Sequence, residues 1–208
     1  MTEAFSGDRL LQNLVLSLID TGATAFVETG TWWGYTSGWV ATMRPLVPVF
    51  TCDITASFLV GARWALSPHV RLFNTSGEQF IELVASQVGD LPIFFLDAHW
   101  LDYWPLEDEL RAIAANYSQA IIIVHDLYVP HCEAYHYDTY NGVALDINLV
   151  HAAILERASH DYLVYFPLPP DIKAGYAVIF QDVEPSGLCL GKRYVEWDGV
   201  LNETDLGV

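Results

Sequence analysis

The chain has 208 residues, of which 52% are hydrophobic and 13% aromatic, enough to fold as one domain with a sizeable core. Its 26 Asp and Glu residues outnumber nine Lys and Arg, which gives a formal net charge of -17. This charge argues against binding to nucleic acid or to anionic membranes, because both depend on Lys and Arg. A small neutral or cationic substrate fits better.

The cysteines and the first residues bear on the cellular compartment. The three cysteines, Cys52, Cys132 and Cys189, are odd in number and lack C-x-x-C spacing, so we expect no disulfide framework and a reducing compartment. The N-terminus lacks the pattern of a secretion signal, and no apolar run approaches the ~20 residues that span a bilayer. We therefore expect a cytoplasmic protein that does not contact a membrane.

Strands and helices alternate along the chain. Apolar segments predict five strands, at residues 25–27, 49–52, 70–73, 92–96 and 120–124. Helical spacing and capping residues predict six helices, at residues 9–19, 35–43, 56–65, 78–87, 106–117 and 144–159. This alternation predicts an α/β fold with a mainly parallel sheet. The segments 92–96 and 120–124 are continuously apolar, which is typical of strands buried on both faces.

The C-terminal part adds strands of a different kind. Residues 162–166 and 176–180 flank a Pro-rich turn and are expected to form an antiparallel hairpin at one edge of the sheet. A short strand is expected around residues 193–197. We expect residues 1–208 to form one domain, with residues 1–24 as an N-terminal helical segment.

The stretch from Ala25 to Ser37 has the pattern of a strand, a glycine loop and the start of a helix. Gly30 and Gly34 allow the backbone to approach a ligand, and the helix start offers N–H groups to it. The loop lacks G-x-G-x-x-G and Gly-Lys-Ser/Thr, so it is neither a dinucleotide fingerprint nor a phosphate loop. Glu28 would repel a pyrophosphate and attract an ammonium group, such as that of S-adenosylmethionine (SAM). An ordinary strand-to-helix turn is the alternative.

Four acidic residues stand at the carboxyl ends of predicted strands: Glu28, Asp53, Asp97 and Asp126. The carboxyl ends of parallel strands meet at one edge of a sheet, where open α/β sheets bind ligands. Asp53 can accept hydrogen bonds from ribose hydroxyls. Ser76 and Gly77, after the third strand, are placed to meet an adenine edge.

Two of these acids are candidates for metal binding. Asp97 and Asp126 offer the oxygen ligands that Mg2+ prefers. His125 or His99 could also bind the ion, although imidazole favours Zn, Mn, Fe or Ni. The alternatives are that each Asp caps the following helix and that each His only supports a ligand.

The segment from residue 131 to residue 142 is rich in His and Tyr. Because long loops in compact domains are often functional, we expect residues 127–143 to form a lid over a substrate pocket. A plain surface loop is one alternative. A second is a nucleophilic Cys132 paired with His131 or His136, but no oxyanion device accompanies it.

Together these motifs resemble those of class I SAM-dependent methyltransferases. Residues 28–36, E-T-G-T-W-W-G-Y-T, resemble the E-x-G-x-x-x-G-Y-S motif of the catechol O-methyltransferase branch. Residues 95–100, F-L-D-A-H-W, resemble its F-L-D-H-W, whose Asp binds Mg2+. Residues 123–126, I-V-H-D, resemble the acid pair after the fifth strand, which is Asp-Asp in the macrocin O-methyltransferase type. Asp53 and residues 74–76 match the ribose acid and the adenine turn.

The resemblance, which covers about residues 25–180, implies a Rossmann-like methyltransferase fold with a seven-stranded sheet and helices on both faces. It implies a set of SAM-binding residues: Glu28, Gly30, Thr31, Gly34, Tyr35, Thr36, Asp53, Ser76, Gly77 and Asp97. It implies metal ligands at Asp97, His125 and Asp126.

Two departures from the family pattern affect the chemistry. His125 stands where the family has an acid, and Leu101 stands where catechol enzymes have their catalytic lysine. We therefore assign the catalytic roles to Asp97 and to His99, with His99 as the general base, since a His suits proton transfer near neutral pH.

The expected function is SAM-dependent methylation of a small molecule, at a hydroxyl and with help from Mg2+ or another divalent cation. One alternative is a catalytically inactive SAM-fold binding protein. Another is a metal-dependent hydroxylase or hydrolase that uses His99, His125 and Asp126 with iron or zinc. A homodimer is also expected, on the exposed-looking tryptophans.

Overall fold

A computed structural model describes residues 4–99, 104–130, 132–154, 160–168, 174–185 and 194–197. A 3-10 turn, Ala4–Gly7, precedes six helices: α1 Arg9–Asp20, α2 Tyr35–Met43, α3 Ala56–Ala65, α4 Gly77–Val84, α5 Leu106–Asn116 and α6 Ile147–Ala153. The strands are β1 Ala25–Thr29, β2 Val49–Cys52, β3 Val70–Phe73, β4 Pro92–Leu96, β5 Ala120–His125, β6 Thr139–Tyr140, β7 Val143–Ala144, β8 Tyr162–Pro167, β9 Tyr176–Gln181 and β10 Tyr194–Trp197.

The main sheet runs in the order β10-β8-β9-β5-β4-β1-β2-β3. Five neighbouring strands run parallel to one another: β5, β4, β1, β2 and β3. Strand β9 pairs antiparallel with both β5 and β8. The chain reverses its strand order next to β1, which leaves the carboxyl ends of β1 and β4 at the switch point. The expected mixed α/β architecture is confirmed.

Three details of the sequence prediction are corrected. The described residues give the sheet eight strands and not seven, because β10 pairs with β8. The hairpin does not form the edge of the sheet: β9 enters between β5 and β8 and pairs along its whole length with β5. Helix α6 begins at Ile147 and not at residue 144, because the Asp146 side chain accepts a hydrogen bond from the Asn148 N–H and caps the helix there. Its expected end, at residue 159, lies outside the described residues.

Helices cover both faces of the sheet. Successive side chains of a strand point to opposite faces. At the end of β1, Glu28 contacts Ser37 of α2, whereas Thr29 faces Glu109 of α5. Helices α2 and α5 therefore lie on opposite faces. The strands β1, β2, β4, β5 and β9 are buried throughout. No helix of the described residues has the length and apolarity that crossing a bilayer requires.

The N-terminal turn closes one end of the core. Phe5 is 1% exposed and makes edge-to-face contacts with Phe26, Trp39 and Phe95, at ring-centroid distances of 6.2, 5.7 and 4.9 Å. Its backbone is held in the left-handed region, at a φ of 53°, where a side chain is strained. Burial of this ring among three aromatic residues offsets that strain.

We expect Phe5→Ala to lower the free energy of unfolding by about 3–5 kcal/mol, because it removes a fully buried aromatic ring. Leu46→Ala is the matched control, since Leu46 is 95% exposed, and should change stability by less than about 0.5 kcal/mol. Urea unfolding of both variants measures the difference. Equal stability of the two variants would show that the turn does not pack on the core.

Candidate cofactor and metal site

The glycine loop after β1 packs against the end of β4. Gly30 has a φ of 88°, and a Cβ at this position would lie 2.4 Å from the Asp97 carbonyl oxygen, so only glycine fits. The N–H groups of Gly30 and Thr31 both donate to the Cys52 carbonyl at 2.9 Å. The Asp53 carboxylate accepts a hydrogen bond from the Trp32 N–H at 2.9 Å and holds that residue in the left-handed region, at a φ of 44°.

A cavity of about 240 Å3 opens beside this loop at the carboxyl ends of the strands. It is lined by Gly30, Trp32, Cys52, Asp53, Ile54, Thr55, Phe58, Thr75, Gly77, Asp97, Ala98 and His99. Five of the predicted site residues are in this lining: Gly30, Asp53, Gly77, Asp97 and His99. The other predicted SAM-binding residues lie outside it: Glu28, Thr31, Gly34, Tyr35, Thr36 and Ser76.

Glu28 lies beneath the loop and not in the cavity wall. It is 2% exposed, and its Oε2 accepts hydrogen bonds from the hydroxyls of Ser37 and of Thr51, the latter at 2.6 Å. Burial raises the pKa of Glu28 to about 8, although those two hydrogen bonds work against the shift. In this structure the carboxyl group links β1, β2 and α2. Its contact with the ammonium group of SAM stays a prediction.

Three side chains at the end of the cavity form a possible metal-binding group. Ligand atoms of Asp97, His99 and Asp126 all lie within 4.8 Å of one another. His99 Nε2 is 3.3 Å from Asp97 Oδ1 and 3.3 Å from Asp126 Oδ2. Neither contact has hydrogen-bond geometry, so this buried nitrogen lacks a hydrogen-bond partner among the described residues.

His125 approaches the same two carboxylates from within the core. Its Nδ1 lies 3.1 Å from Asp97 Oδ1 and 3.2 Å from Asp126 Oδ2, with hydrogen-bond geometry to both. The side chain is 3% exposed. The geometry therefore favours His99 over His125 as the third metal ligand, and it gives His125 the position of a hydrogen-bond donor to both carboxylates.

The charges of this group are mutually stabilising. Burial would lower the pKa of His99, but the carboxylates of Asp126 and Asp97 outweigh it and raise the pKa to about 10. Burial would raise the pKa of Asp126 and of Asp97, but the neighbouring imidazoles, His125 first, hold both below their ordinary value. Without a metal ion, two imidazolium groups would balance two carboxylates.

Sequence reasoning missed two residues that contact His99 on its other side. Tyr140 OH lies 2.6 Å from His99 Nδ1, and Asp138 Oδ2 lies 3.0 Å from the same nitrogen. Both come from the segment predicted as a lid, in which β6 and β7 form a small hairpin. The richness of this segment in His and Tyr was the only signal. The lid function itself stays a prediction.

The alternative nucleophile in this segment gains no support from the geometry of its cysteine. Cys132 is 5% exposed and free of a disulfide, and His131 lies outside the described residues. Cys52, also free, lines the cavity, and burial raises the pKa of its thiol well above the ordinary value. Both cysteines are therefore buried, and the Cys52 thiol is held in its neutral form.

Sequence reasoning also missed a buried acid on α5. Glu109 is 1% exposed, and its Oε1 has no hydrogen-bond partner among the described residues. A Cβ added to Gly77 would lie 1.8 Å from that oxygen, so glycine at the cavity wall makes room for the carboxyl group. Burial raises the pKa of Glu109 to about 8. No simple pattern marks this residue, because an acid in the first turn of a helix is ordinary.

Comparison with known proteins gives the fold and not the substrate. No protein-family model and no curated protein matches the chain. An O-methyltransferase from Bacillus cereus in complex with SAH is 16% identical with a TM-score of 0.57, over 82% of this chain and 80% of that one. The O-methyltransferase TomG from Streptomyces achromogenes, in complex with SAM, is 18% identical with a TM-score of 0.54, over 83% and 80%.

An rRNA methylase from Streptococcus thermophilus is also similar, at 15% identity and a TM-score of 0.52, over 85% of this chain and 98% of that one. The similarity to solved structures therefore spans different kinds of methyl acceptor. At these identities it establishes that the chain has the class I methyltransferase fold, as the sequence motifs predicted.

The pKa of Glu109 gives a prediction for the pH dependence of stability. Between its ordinary pKa of 4.5 and its raised value of about 8, the folded protein retains a proton that the unfolded chain releases. This group therefore destabilises the fold increasingly as pH rises through that window. The difference in free energy of unfolding between Glu109→Gln and the wild type should therefore shift by about 3 kcal/mol in favour of the variant from pH 5 to pH 8. The reason is that each pKa unit corresponds to about 1.4 kcal/mol.

Urea unfolding at the two pH values measures this gain. Glu82→Gln on the exposed face of α4 is the control and should shift stability equally at both. A Glu109→Gln effect that is the same at pH 5 and pH 8 would contradict the buried, protonated state of Glu109.

Proposed function

We propose that this protein is a SAM-dependent methyltransferase that methylates a hydroxyl group of a small molecule with the help of a divalent metal ion. One observation carries the proposal. The cavity at the glycine loop is continuous with the group of Asp97 and His99, because both residues line it. A methyl donor and a metal-bound acceptor would therefore meet at one edge of the sheet.

The cofactor side rests on Asp53 and Gly77. Asp53 is held in place by the N–H groups of Trp32 and Thr55, at 2.9 and 2.8 Å, so its carboxylate is oriented before a ribose arrives. Gly77 begins α4 in the cavity wall and lets an adenine ring approach the backbone. Trp32, which is 50% exposed, also lines the cavity.

The residues at the other end of the cavity fit a metal ion. Asp97 and Asp126 supply carboxylate oxygens, and His99 supplies a buried nitrogen that lacks a hydrogen-bond partner among the described residues. A divalent ion bound there would lower the pKa of an acceptor hydroxyl and favour its nucleophilic form.

A small acceptor is favoured by charge. The net charge of -17 opposes a nucleic acid substrate, since binding to phosphates rests on Lys and Arg. This observation supports a small molecule over RNA as the methyl acceptor.

Isothermal titration with SAM and with its demethylated product tests the cofactor site. We expect micromolar binding of both, and a loss of at least about tenfold in Asp53→Asn, because a charge-assisted hydrogen bond contributes ~1.5–3 kcal/mol. Asp90→Asn, at an exposed position far from the cavity edge, should bind SAM as the wild type does. No binding of either compound by the wild type, with or without added metal, would overturn the proposed function.

Asp97→Ala separates metal-assisted chemistry from cofactor binding. We expect this variant to lose methyl transfer while its SAM affinity stays within about threefold of the wild type, because Asp97 acts mainly on the metal ion. A screen of hydroxylated small molecules with labelled SAM measures transfer, and titration measures affinity. Equal loss of both would show that Asp97 serves the cofactor and not the reaction.

A further inference from the structure

We propose that the metal site prefers a first-row transition-metal ion to Mg2+, with His99 Nε2 as the third ligand beside Asp97 and Asp126, and with Asp138 as the carboxylate that orients the His99 ring. The proposal deepens the metal site of the proposed function and rests on it only for the role of the ion in turnover. Metal binding can be measured without cofactor or acceptor, so the two proposals can fail separately.

The first observation is the position of His99 Nε2. It faces two carboxylate oxygens, one from Asp97 and one from Asp126, each at 3.3 Å. The nitrogen is buried and lacks a hydrogen bond to any described residue, although two strong acceptors lie beside it. Nε2 is therefore equidistant from the two carboxylate oxygens, and a metal ion bound by all three atoms would take the place of the Nε2 proton between them.

The second observation is what holds the two carboxylates. His125 Nδ1 contacts Asp97 Oδ1 at 3.1 Å and Asp126 Oδ2 at 3.2 Å, the same oxygens that face His99. A buried donor on the core side fixes the two oxygens as a pair, and His99 covers them from the cavity side. His125 is therefore a positioning residue. His99 faces the two carboxylate oxygens from the side that His125 does not occupy.

The third observation concerns the other nitrogen of His99. Tyr140 OH lies 2.6 Å from Nδ1 with hydrogen-bond geometry, and it also donates to Asp138 Oδ2 at 3.2 Å. Asp138 Oδ2 itself lies 3.0 Å from Nδ1, at ion-pair distance. Metal-binding imidazoles commonly donate their second N–H to a carboxylate, which fixes the tautomer and the ring orientation. When an ion takes the place of the Nε2 proton, the remaining proton of His99 stays on Nδ1, beside these two residues.

The backbone couples this carboxylate to the metal site. The Asp138 N–H donates to the carbonyl of Asp126 at 3.0 Å, and the Asp138 carbonyl accepts from the Leu145 N–H at 2.9 Å. Tyr140 in turn stacks on Trp104 at a ring-centroid distance of 5.3 Å. The residue that orients His99 is thus tied directly to a neighbouring ligand.

The ligand set decides the class of ion. Mg2+ prefers an octahedral set of oxygen ligands and retains several waters. An imidazole nitrogen favours Mn, Fe, Co, Ni or Zn over Mg. Two carboxylates and one imidazole therefore select a transition metal.

Titration of metal-free protein with Co2+ and with Mg2+, without SAM, tests the proposal. We expect one Co2+ to bind at least about 100-fold more tightly than Mg2+. His99→Gln should weaken Co2+ binding by about 10–100-fold and Mg2+ binding by less than about threefold. Asp138→Asn should weaken Co2+ binding by about tenfold, as the loss of such an orienting partner typically does.

Pulsed EPR of bound Mn2+ should show coupling to a ring nitrogen in the wild type that His99→Gln abolishes.

Exposed positions at the opposite edge of the sheet provide matched controls. His69→Gln and Asp90→Asn should leave both metal affinities and the EPR signal unchanged. Equal loss of Co2+ and Mg2+ binding in His99→Gln, or no nitrogen coupling in the wild type, would overturn the proposal. If His99→Gln fails to fold by circular dichroism, Asp138→Asn decides: an unchanged Co2+ affinity overturns the proposal. Metal binding without SAM binding would overturn the proposed methyl transfer and leave this inference standing. SAM binding without metal binding would overturn this inference and the metal assistance in the proposed function, but not the cofactor site.

Discussion

The close approach of Gly30 to the end of β4 is the constraint on which the site depends. Asp97 donates its N–H to the Thr29 carbonyl at 3.1 Å, and the Gly30 N–H donates to the Cys52 carbonyl at 2.9 Å. These bonds extend the parallel sheet beyond its strands, so β1, β2 and β4 end in one plane. Any side chain at Gly30 would force the loop away from the Asp97 backbone.

The buried region around this loop contains both ion pairs and a protonated acid. Asp97 and Asp126 are kept ionised by two imidazoles, whereas burial keeps Glu28 largely protonated at neutral pH. Unpaired buried charge would cost several kcal/mol, and either pairing or protonation avoids that cost. Asp97 and Asp126 thus remain carboxylates that His99 and His125 balance, whereas Glu28 needs no partner charge.

The segment between β5 and α6 contacts this charged group through its backbone and its side chains. Its backbone bonds to Asp126 and its side chains Asp138 and Tyr140 contact His99. Trp104 packs on Tyr140 from the chain that follows β4. A change in the position of this segment would therefore move the His99 ring relative to Asp97 and Asp126.

The sequence by itself determined the order of elements and the carboxyl-end acids, since continuous apolar strands and period-3.6 helices are local patterns. It placed Gly30, Asp53 and Asp97 at one edge because parallel strands share that edge. The insertion of β9 beside β5, the burial of Glu109 and the contact of Asp138 with His99 were decided only by the tertiary structure. These depend on pairing and packing between residues far apart in the chain, and no local spacing encodes which partner such a residue meets.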